Sequence, residues 1–309
     1  MNPSSNVFVS VIIPVYDDLE RLKLCLRALE NQTYPRNLYE VIVVNNNPSD
    51  NIEAHIVRSD RVRVVCEGHR GSYAARNRGI LKAKGSVLAF TDSDCIPLRD
   101  WIEKGVANLL GQQNVGLVAG QIEVTVSDPE NPTAIELYEK VTAFRQKEYI
   151  EKFRFGATAN LFTFKHVVRE IGCFNDTLLS SGDFEWGNRV FAAGHGQIFA
   201  DDACVLHPAR KTFTQRFRKR VRIIRGKYES GSLGFTPRVF AKRLVSPVIK
   251  AEEILFKHKY DEELKGRKQK FKLILAFFFD SYVWAFGSLI ITLLGSDKGK
   301  TAGSKSRLQ

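Results

Sequence analysis

The chain has 309 residues, with 46 Lys and Arg against 34 Asp and Glu, which gives a net charge of +12 at pH 7. This length predicts one large domain or two smaller ones, and a composition of 44% apolar and 26% charged residues excludes a collagen-like or wholly disordered chain. The positive surplus favours an anionic partner, such as nucleic acid, anionic lipid or a phosphorylated small molecule, without choosing among them.

The first 95 residues alternate between predicted strands and helices. Strands rich in β-branched residues are predicted over 7–15, 39–44, 61–66 and 86–91, with helices from Asp17 onward and over 73–83. This alternation is typical of βαβ units and predicts a mostly parallel sheet. Because ligands gather at the carboxyl ends of such strands, we expect the chemistry in the loops that follow them.

Beyond Asp94 the pattern is less regular. Helices are predicted over 101–110, 134–153, 167–171 and 184–193, and strands over 115–126, 197–200 and 203–207. A basic segment follows, residues 210–227, with nine Lys and Arg and no acid.

The C-terminal region indicates membrane contact. Residues 273–295 are apolar apart from Asp280, and five Lys and Arg lie between Lys265 and Lys272. A stretch of this length can span a bilayer, but a charge and Trp284 in mid-segment fit a span less well. A spanning helix, a helix lying on the membrane and a packed core helix are all open alternatives.

The cysteines and the N-terminus predict a cytoplasmic protein. Five scattered cysteines with no CxxC pair are typical of reduced thiols. The N-terminus lacks the positive region of a secretory signal, and the apolar run behind it ends at Pro14.

The clearest chemical signal is Asp92-Ser93-Asp94, directly after the predicted strand 86–91. Two carboxylates one residue apart at a strand end can face a hard cation, and Mg²⁺ or Mn²⁺ prefers such oxygen ligands. The alternative is a solvated turn, since this short motif is common by chance.

Two further segments carry weaker signals. Arg76, shortly after Gly71, stands where a helix start and a guanidinium bind phosphate, although an exposed basic helix explains it equally well. Asp183 and Glu185 lead a predicted helix, where one could accept a proton or both could simply favour the helix start.

Taken in order, seven segments resemble family 2 glycosyltransferases of the GT-A fold. They are VSVIIPVYDD, EVIVVNNNPSD, RGSYAARNRGI, FTDSDC, GATANLF, IGCFND and SGDFEWGNRVFAAGH, within residues 7–230. The resemblance implies an α/β, Rossmann-like, mostly parallel sheet flanked by helices, with a helical C-terminal extension. The implied domains are a catalytic domain over 1–235 and a basic, apolar helical region over 236–309. The nucleotide-sugar half would cover about 1–95 and the acceptor half about 96–235.

The resemblance also implies a role for each matching residue. The implied nucleotide-sugar contacts are Pro14, Tyr16, Asp18, Asn45, Arg76, Asp92 and Ser93. Asn45 stands where the family usually has an Asp, which leaves the identity of the base open. The implied metal ligands are Asp94, Asp92 and His207, with a core histidine as the alternative for His207. Thr158, Asn160 and Trp186 would contact the donor or acceptor sugar, and Arg218, Arg222 and Arg225 would close over the diphosphate.

The implied reaction is an inverting transfer from a nucleotide sugar, such as a UDP-sugar, assisted by Mn²⁺ or Mg²⁺. Asp183 would be the base, with Glu185 as the alternative, and Gly182 replaces the first acid of the family's usual pair. The implied acceptor is a saccharide or lipid-linked saccharide of the bacterial polysaccharide type, at the cytoplasmic face of the membrane.

Two other functional classes are alternatives to sugar transfer. An inactive membrane scaffold is compatible with Asn45 and Gly182. A nucleic-acid-binding protein would use the basic segment, but it leaves the Asp92–Asp94 and Asp183 motifs without a purpose.

Overall fold

The computed structural model describes residues 7–56, 60–229, 233, 236–257, 260 and 264–302, with the backbone alone over 295–302. The strands are β1 Val9–Val15, β2 Tyr39–Asn45, β3 Val62–Cys66, β4 Val87–Thr91, β5 Ile96–Pro97, β6 Val115–Thr125, β7 Asn160–Phe164 and β8 Gly196–Pro208. The helices are α1 Leu19–Glu30, α2 Ser72–Lys82, α3 Trp101–Leu110, α4 Ala134–Thr142, α5 Gln146–Phe153, α6 Lys165–Ile171, α7 Gly182–Ala192, α8 Phe213–Glu229, α9 Pro237–Phe256 and α10 Gly266–Ala302.

One sheet of eight described strands has the order β3-β2-β1-β4-β7-β6-β8-β5. The pairs β3–β2, β2–β1, β1–β4 and β6–β8 are parallel, and β4–β7, β7–β6 and β8–β5 are antiparallel. The sheet is therefore mixed, with the predicted parallel order in its first half.

Both faces of the sheet are covered, because the strands are apolar at successive positions. Val11 and Ile13 pack with α1 and α3 on one face, and Ile12 packs with α2, α6 and α7 on the other. Strands buried on both faces are expected to be mostly apolar along their length, as β1, β2 and β4 are.

The structure differs from the predicted elements at three places. Residues 134–153 form two helices, broken at Phe144, where φ is +51° and the ring lies 4.5 Å from that of His207. Strands 197–200 and 203–207 are one strand, β8, whose register with β6 shifts between Gly120 and Gln121. Strand β7 was not predicted; it inserts antiparallel between β4 and β6.

The chain divides into two compact units. The sheet unit comprises residues 1–125 and 144–208, and the helical unit comprises 126–143 and 209–309. The predicted boundary at residue 235 does not coincide with this division, because α4 and α8 share buried contacts with α10. Ile135 and Leu137 of α4 join Leu273 and Phe277 of α10 in one apolar cluster.

Candidate functional site

The candidate site lies in the sheet unit, where neighbouring parallel strands end. Asp92, Ser93 and Asp94 follow β4, Asn45 ends β2 and Tyr16 follows β1. Since β2, β1 and β4 are parallel neighbours, their carboxyl ends meet at one edge of the sheet. The fold thus brings together residues that are 76 positions apart in the sequence.

Asp94 and His207 form the core of a possible cation site. Nε2 of His207 lies 3.6 Å from Oδ1 of Asp94, and its Nδ1 lies 2.9 Å from the carbonyl oxygen of Pro208. Because that carbonyl only accepts, Nδ1–H is the donor of this contact, which orients Nε2 toward Asp94. Such a backbone contact is how histidine ligands are commonly oriented toward a metal.

Burial raises the pKa of the Asp94 carboxyl, although the nearby His207 opposes the shift. A desolvated carboxylate is stabilised by a cation, so the carboxylate and imidazole fit a divalent ion that prefers oxygen and nitrogen ligands. Cys95 has its sulfur within 4.8 Å of these donor atoms, but burial raises the pKa of its thiol well above the usual range. The protonated thiol is a poor ligand for such an ion.

Asp92, the other implied ligand, faces a different partner. Its Oδ1 accepts a hydrogen bond from Nη2 of Arg76, a guanidinium that is 3% exposed. The implied phosphate-binding arginine is thus held at the strand end by one of the implied metal ligands. The structure brings Asp94 and His207 together and turns Asp92 toward Arg76.

A second arginine, Arg21 of α1, joins two acidic residues of the site. Its Nε lies 2.7 Å from Oδ1 of Asp18, and its Nη1 lies 3.6 Å from Oδ2 of Asp94. Ser93 Oγ lies 3.5 Å from Oδ2 of Asp18, at the outer limit of a hydrogen bond. Arg21 was not predicted from the sequence. The only local indication of its ion pair is that it lies three residues after Asp18.

Helix α2 connects the Asp92 motif to Asp183. Tyr73 and Arg76 are three residues apart and so share one helix face, with the guanidinium carbon 5.6 Å from the ring centroid. The Tyr73 hydroxyl donates to Oδ1 of Asp183 at 3.2 Å, while Arg76 binds Asp92. Tyr73 is a second residue that the sequence analysis missed, because its partner lies 110 positions away.

The two candidate bases differ in their surroundings. Burial raises the pKa of Asp183, although hydrogen bonds from the Phe184 amide and Tyr73 oppose the shift. Glu185 is held by Arg189, whose Nε and Nη2 lie 2.7 and 3.0 Å from its two oxygens. A carboxylate with a raised pKa suits proton transfer better than one clamped by a guanidinium.

Gly182 has a steric reason for lacking a side chain. A Cβ built at this position would lie 2.7 Å from the Tyr73 ring, closer than side-chain atoms approach. The aromatic ring therefore takes up the space that an acid at position 182 would need.

The implied base-binding residues are placed at the edge of the site. Tyr16 is 51% exposed, Pro14 is buried within β1, and Asn45 is 3% exposed. Asn45 donates to the Asp50 carbonyl and accepts from the Asn47 amide, so its side chain shapes the loop after β2.

The implied sugar contacts are the weakest part of the set. Asn160 is fully buried, and its amide accepts from Trp101 and donates to the carbonyls of Gln121 and Ala203. Trp186 is also fully buried and donates to the Gly172 carbonyl. Neither side chain can contact a sugar, because both are fully buried and hydrogen-bond to neighbouring parts of the core. Thr158 is buried in the turn before β7.

The arginines implied to close over the diphosphate lie in the helical unit. Arg218, Arg222 and Arg225 are exposed on α8. Within the helical unit this is the solvated face of a basic helix.

Comparison with a family model and with a curated relative gives one classification of the chain. The family model described as "Glycosyl transferase family 2" matches residues 10–172. Glycosyltransferase AglE of Haloferax volcanii is 41% identical over 228 residues, which cover 72% of this chain and 73% of that protein.

Two solved structures share the fold. Mannosyltransferase PcManGT from Pyrobaculum calidifontis, solved with GDP-Man and Mn²⁺, is 18% identical with a TM-score of 0.62, covering 94% of this chain and 88% of its own. GalNAc-T7, solved with UDP, GalNAc and Mn²⁺, is 19% identical with a TM-score of 0.50, covering 66% and 44%. These likenesses confirm the predicted GT-A type of α/β fold.

Proposed function

Because the chain belongs to glycosyl transferase family 2 and is a glycosyltransferase, we propose that it transfers a sugar from a nucleotide-sugar donor with inversion at the anomeric carbon. The observation that carries this proposal is the chain of contacts through α2. Arg76 holds Asp92 of the strand-end motif, and Tyr73, on the same helix face, holds Asp183. A diphosphate-binding group and a proton acceptor are thus placed by one helix.

Asp94 and His207 would hold a divalent cation, Mn²⁺ or Mg²⁺, with Asp92 as a further ligand once it leaves Arg76. The two structural neighbours carry Mn²⁺ beside a nucleotide or nucleotide sugar, which supports this assignment. When bound, such an ion neutralises charge that develops on a leaving diphosphate.

The protein's own residues supply the rest of the donor site. Arg76 is buried and its Nε has no hydrogen-bond partner among the described residues, so it has donor capacity left beyond Asp92. A guanidinium of this kind binds phosphate oxygens in pairs and stabilises the charge of the leaving group. Tyr16 is exposed at the same strand edge and offers a ring for the base.

Asp183 is the proposed base. Its carboxylate takes the proton of the acceptor hydroxyl as that oxygen attacks the anomeric carbon from the face opposite the leaving group, and this single displacement inverts the anomeric configuration. Burial moves the pKa of Asp183 upward, toward neutral pH, and a general base is more effective when its pKa is closer to the operating pH. Phe184, beside it, is 44% exposed and packs on Phe155, which gives an apolar surface for an acceptor sugar ring.

The direct test is a screen of nucleotide sugars for Mn²⁺-dependent hydrolysis and transfer, with the released nucleoside diphosphate measured. We expect release with one donor and inverted product stereochemistry by NMR. Binding of a nucleoside diphosphate without any hydrolysis would instead support the inactive scaffold.

Tyr73 is proposed to position Asp183. Tyr73→Phe keeps the ring against Gly182 but removes the hydrogen bond to the charged carboxylate, so the pKa of Asp183 rises further. We expect the acid limb of the pH profile to move to higher pH, and kcat on that limb to fall about 3–10-fold at a given pH.

A matched control for this change is Tyr34→Phe. Tyr34 is also buried in the sheet unit, and its hydroxyl donates to the Val7 carbonyl. The control is expected to leave the acid limb in place, and a Tyr73→Phe enzyme with an unshifted limb would remove Tyr73 from the mechanism.

Helix α10 is proposed to lie on the membrane surface. Helix Gly266–Leu294 contains an 18-residue window with a mean hydropathy of 1.8 and could cross a bilayer by length and composition, but Asp280 at its middle is paired with Arg216 and Arg220 of α8. A span would carry these guanidinium groups into hydrocarbon, which is costly. With one face on α4 and α8, the exposed face is free to meet lipid at the cytoplasmic side, where nucleotide sugars are made and a saccharide or lipid-linked acceptor is expected.

The exposed face of α10 gives the membrane prediction. Ile290 and Leu294 are 53% and 66% exposed, and Ile290→Gln with Leu294→Gln should weaken binding to vesicles of phosphatidylcholine and phosphatidylglycerol at least about tenfold. Point changes are preferable to truncation, because α10 covers the apolar cluster of α4. The paired control, Leu24→Gln with Leu81→Gln, changes exposed leucines of the sheet unit and should leave binding unchanged. Equal binding by both double variants would contradict a lipid-facing α10.

A further inference from the structure

Three cations of the helical unit surround one indole ring. Around Trp284 of α10, the guanidinium carbon of Arg243 lies 4.3 Å from the ring, that of Arg220 4.7 Å and the ammonium of Lys227 5.5 Å. Arg220 and Lys227 come from α8 and Arg243 from α9. We call these four residues the indole cluster.

The carboxylates within reach are already shared by other cations. Asp280 accepts from both Arg216 and Arg220, at 2.7 Å for Arg216. Glu139, 1% exposed, is bound by Arg210, Arg216 and Lys219 at 3.1–3.4 Å. Arg210, Arg216, Lys219 and Arg220 thus share these two carboxylates, and Arg243 is left as a surplus charge that forms no ion pair with a carboxylate among the described residues.

The surplus is poorly solvated. Nε of Arg243 is buried and has no hydrogen-bond partner among the residues that the structure describes. Burial and the neighbouring Arg220 lower the pKa of Arg243 to about 10, and burial with Arg210 lowers that of Lys219 to about 7. A partly buried guanidinium such as that of Arg243, beside another cation and without a carboxylate among the described residues, is costly unless an anion joins it.

The surroundings of the cluster indicate what kind of anion this is. Arg243 and Trp284 lie beside the apolar side chains of Val239, Phe240 and Ala285. On the same helices, Val245, Val248 and Ile249 of α9 and Ile290 and Leu293 of α10 are 50–60% exposed. An anion joined to hydrocarbon matches a cationic cluster bordered by exposed apolar side chains.

We infer that the indole cluster binds the phosphate headgroup of a membrane lipid, with Arg243 as its principal donor. Arg243 presents a planar guanidinium that pairs with phosphate oxygens, and the indole face holds the cations in place while the site is empty. This inference does not rest on the proposed transfer reaction, because lipid binding is measured without donor or acceptor.

The test is flotation of the full-length protein with phosphatidylcholine vesicles that lack or contain phosphatidic acid. Arg243→Gln is expected to weaken the binding that depends on phosphatidic acid about 10–100-fold, the loss of a charged, paired hydrogen bond. The matched control is Arg238→Gln, which removes the same charge from an exposed position of α9 and should cost at most about fivefold.

A charge-preserving pair separates a built site from diffuse attraction. Arg243→Lys keeps the charge but loses the planar fork, so binding should still weaken at least about threefold, whereas Arg238→Lys should not change it. If Arg243→Gln lowers the melting temperature, its loss of lipid binding cannot be interpreted, and the comparison of Arg243→Lys with Arg238→Lys then tests the site.

Two results would overturn the inference. Unchanged binding by Arg243→Lys would mean that diffuse charge accounts for lipid attraction. Release of the protein from the vesicles by inorganic phosphate, at the same phosphate concentration as the phosphatidic acid, would assign the cluster to a soluble anion.

Discussion

Asp94→Ala is expected to lower sugar transfer about 10²–10³-fold and to abolish the gain in nucleoside diphosphate affinity that Mn²⁺ provides. Asp94 is the half-buried carboxylate beside Nε2 of His207, so its loss leaves the imidazole without the charged partner that a cation needs. Charge stabilisation by a bound metal is worth several kcal/mol, and each 1.36 kcal/mol changes the rate tenfold. Transfer rates and calorimetric titration with and without Mn²⁺ measure both effects.

The control for Asp94 is an acid on the strand that carries His207. Asp201 is exposed on β8, and Asp201→Ala removes the same charge from the sheet unit without touching the site. It should retain near-normal transfer and Mn²⁺ response. Full activity of the unmodified enzyme in excess EDTA would refute the cation site.

The parallel half of the sheet was predictable because local signals there agree with tertiary structure. In β1, β2 and β4 most residues are apolar, and many of them are Val or Ile, which is the composition of strands buried on both faces. Strand β7 is equally buried, but its sequence, Asn-Leu-Phe-Thr-Phe, is short and alternates only weakly. Its insertion between β4 and β6 depends on pairing partners that lie far away in the chain.

The sequence predicted which motifs form the site, but it did not predict the contacts between their side chains. The strand-end position of Asp92 and Asp94 follows from the run of apolar residues before them, and the role of Asp183 came from resemblance. The Tyr73–Asp183 hydrogen bond joins residues 110 positions apart, so no local sequence pattern predicts it. A family motif also does not distinguish a ligand contact from a core contact, which is why Asn160 was assigned to a sugar.

Asp280 illustrates how a tertiary contact decides the meaning of an apolar segment. From the sequence it is a lone charge that weakens the case for a membrane span. In the structure it is the shared anion of Arg216 and Arg220, which ties α10 to α8. A basic segment that appeared uniformly solvated therefore has a buried face and an exposed face.

Asp183→Asn is expected to lower kcat about 10²–10⁴-fold while donor affinity changes less than about twofold. Asparagine is nearly isosteric and can still accept from Tyr73 and from the Phe184 amide, so the start of α7 should keep its geometry. The amide cannot take the acceptor's proton, which removes an interaction that operates only in the transition state. Steady-state kinetics with donor and acceptor varied separately, together with calorimetric nucleotide binding, distinguish kcat from affinity.

Glu185→Gln is the comparison that decides between the two acids. Glu185 lies two residues further along α7 and is bound through both oxygens to Arg189, which also donates to the carbonyls of Ile171 and Cys173. Glu185→Gln should weaken the ion pair with Arg189, which is partly exposed. We expect kcat to fall less than about tenfold and the melting temperature to drop slightly. In the wild type, kcat should rise with pH through a value above the ordinary range of an aspartate, since the folded-state pKa of Asp183 is raised and the base form is required. That acid limb should be lost with Asp183→Asn and kept with Glu185→Gln; the reverse pattern would make Glu185 the base.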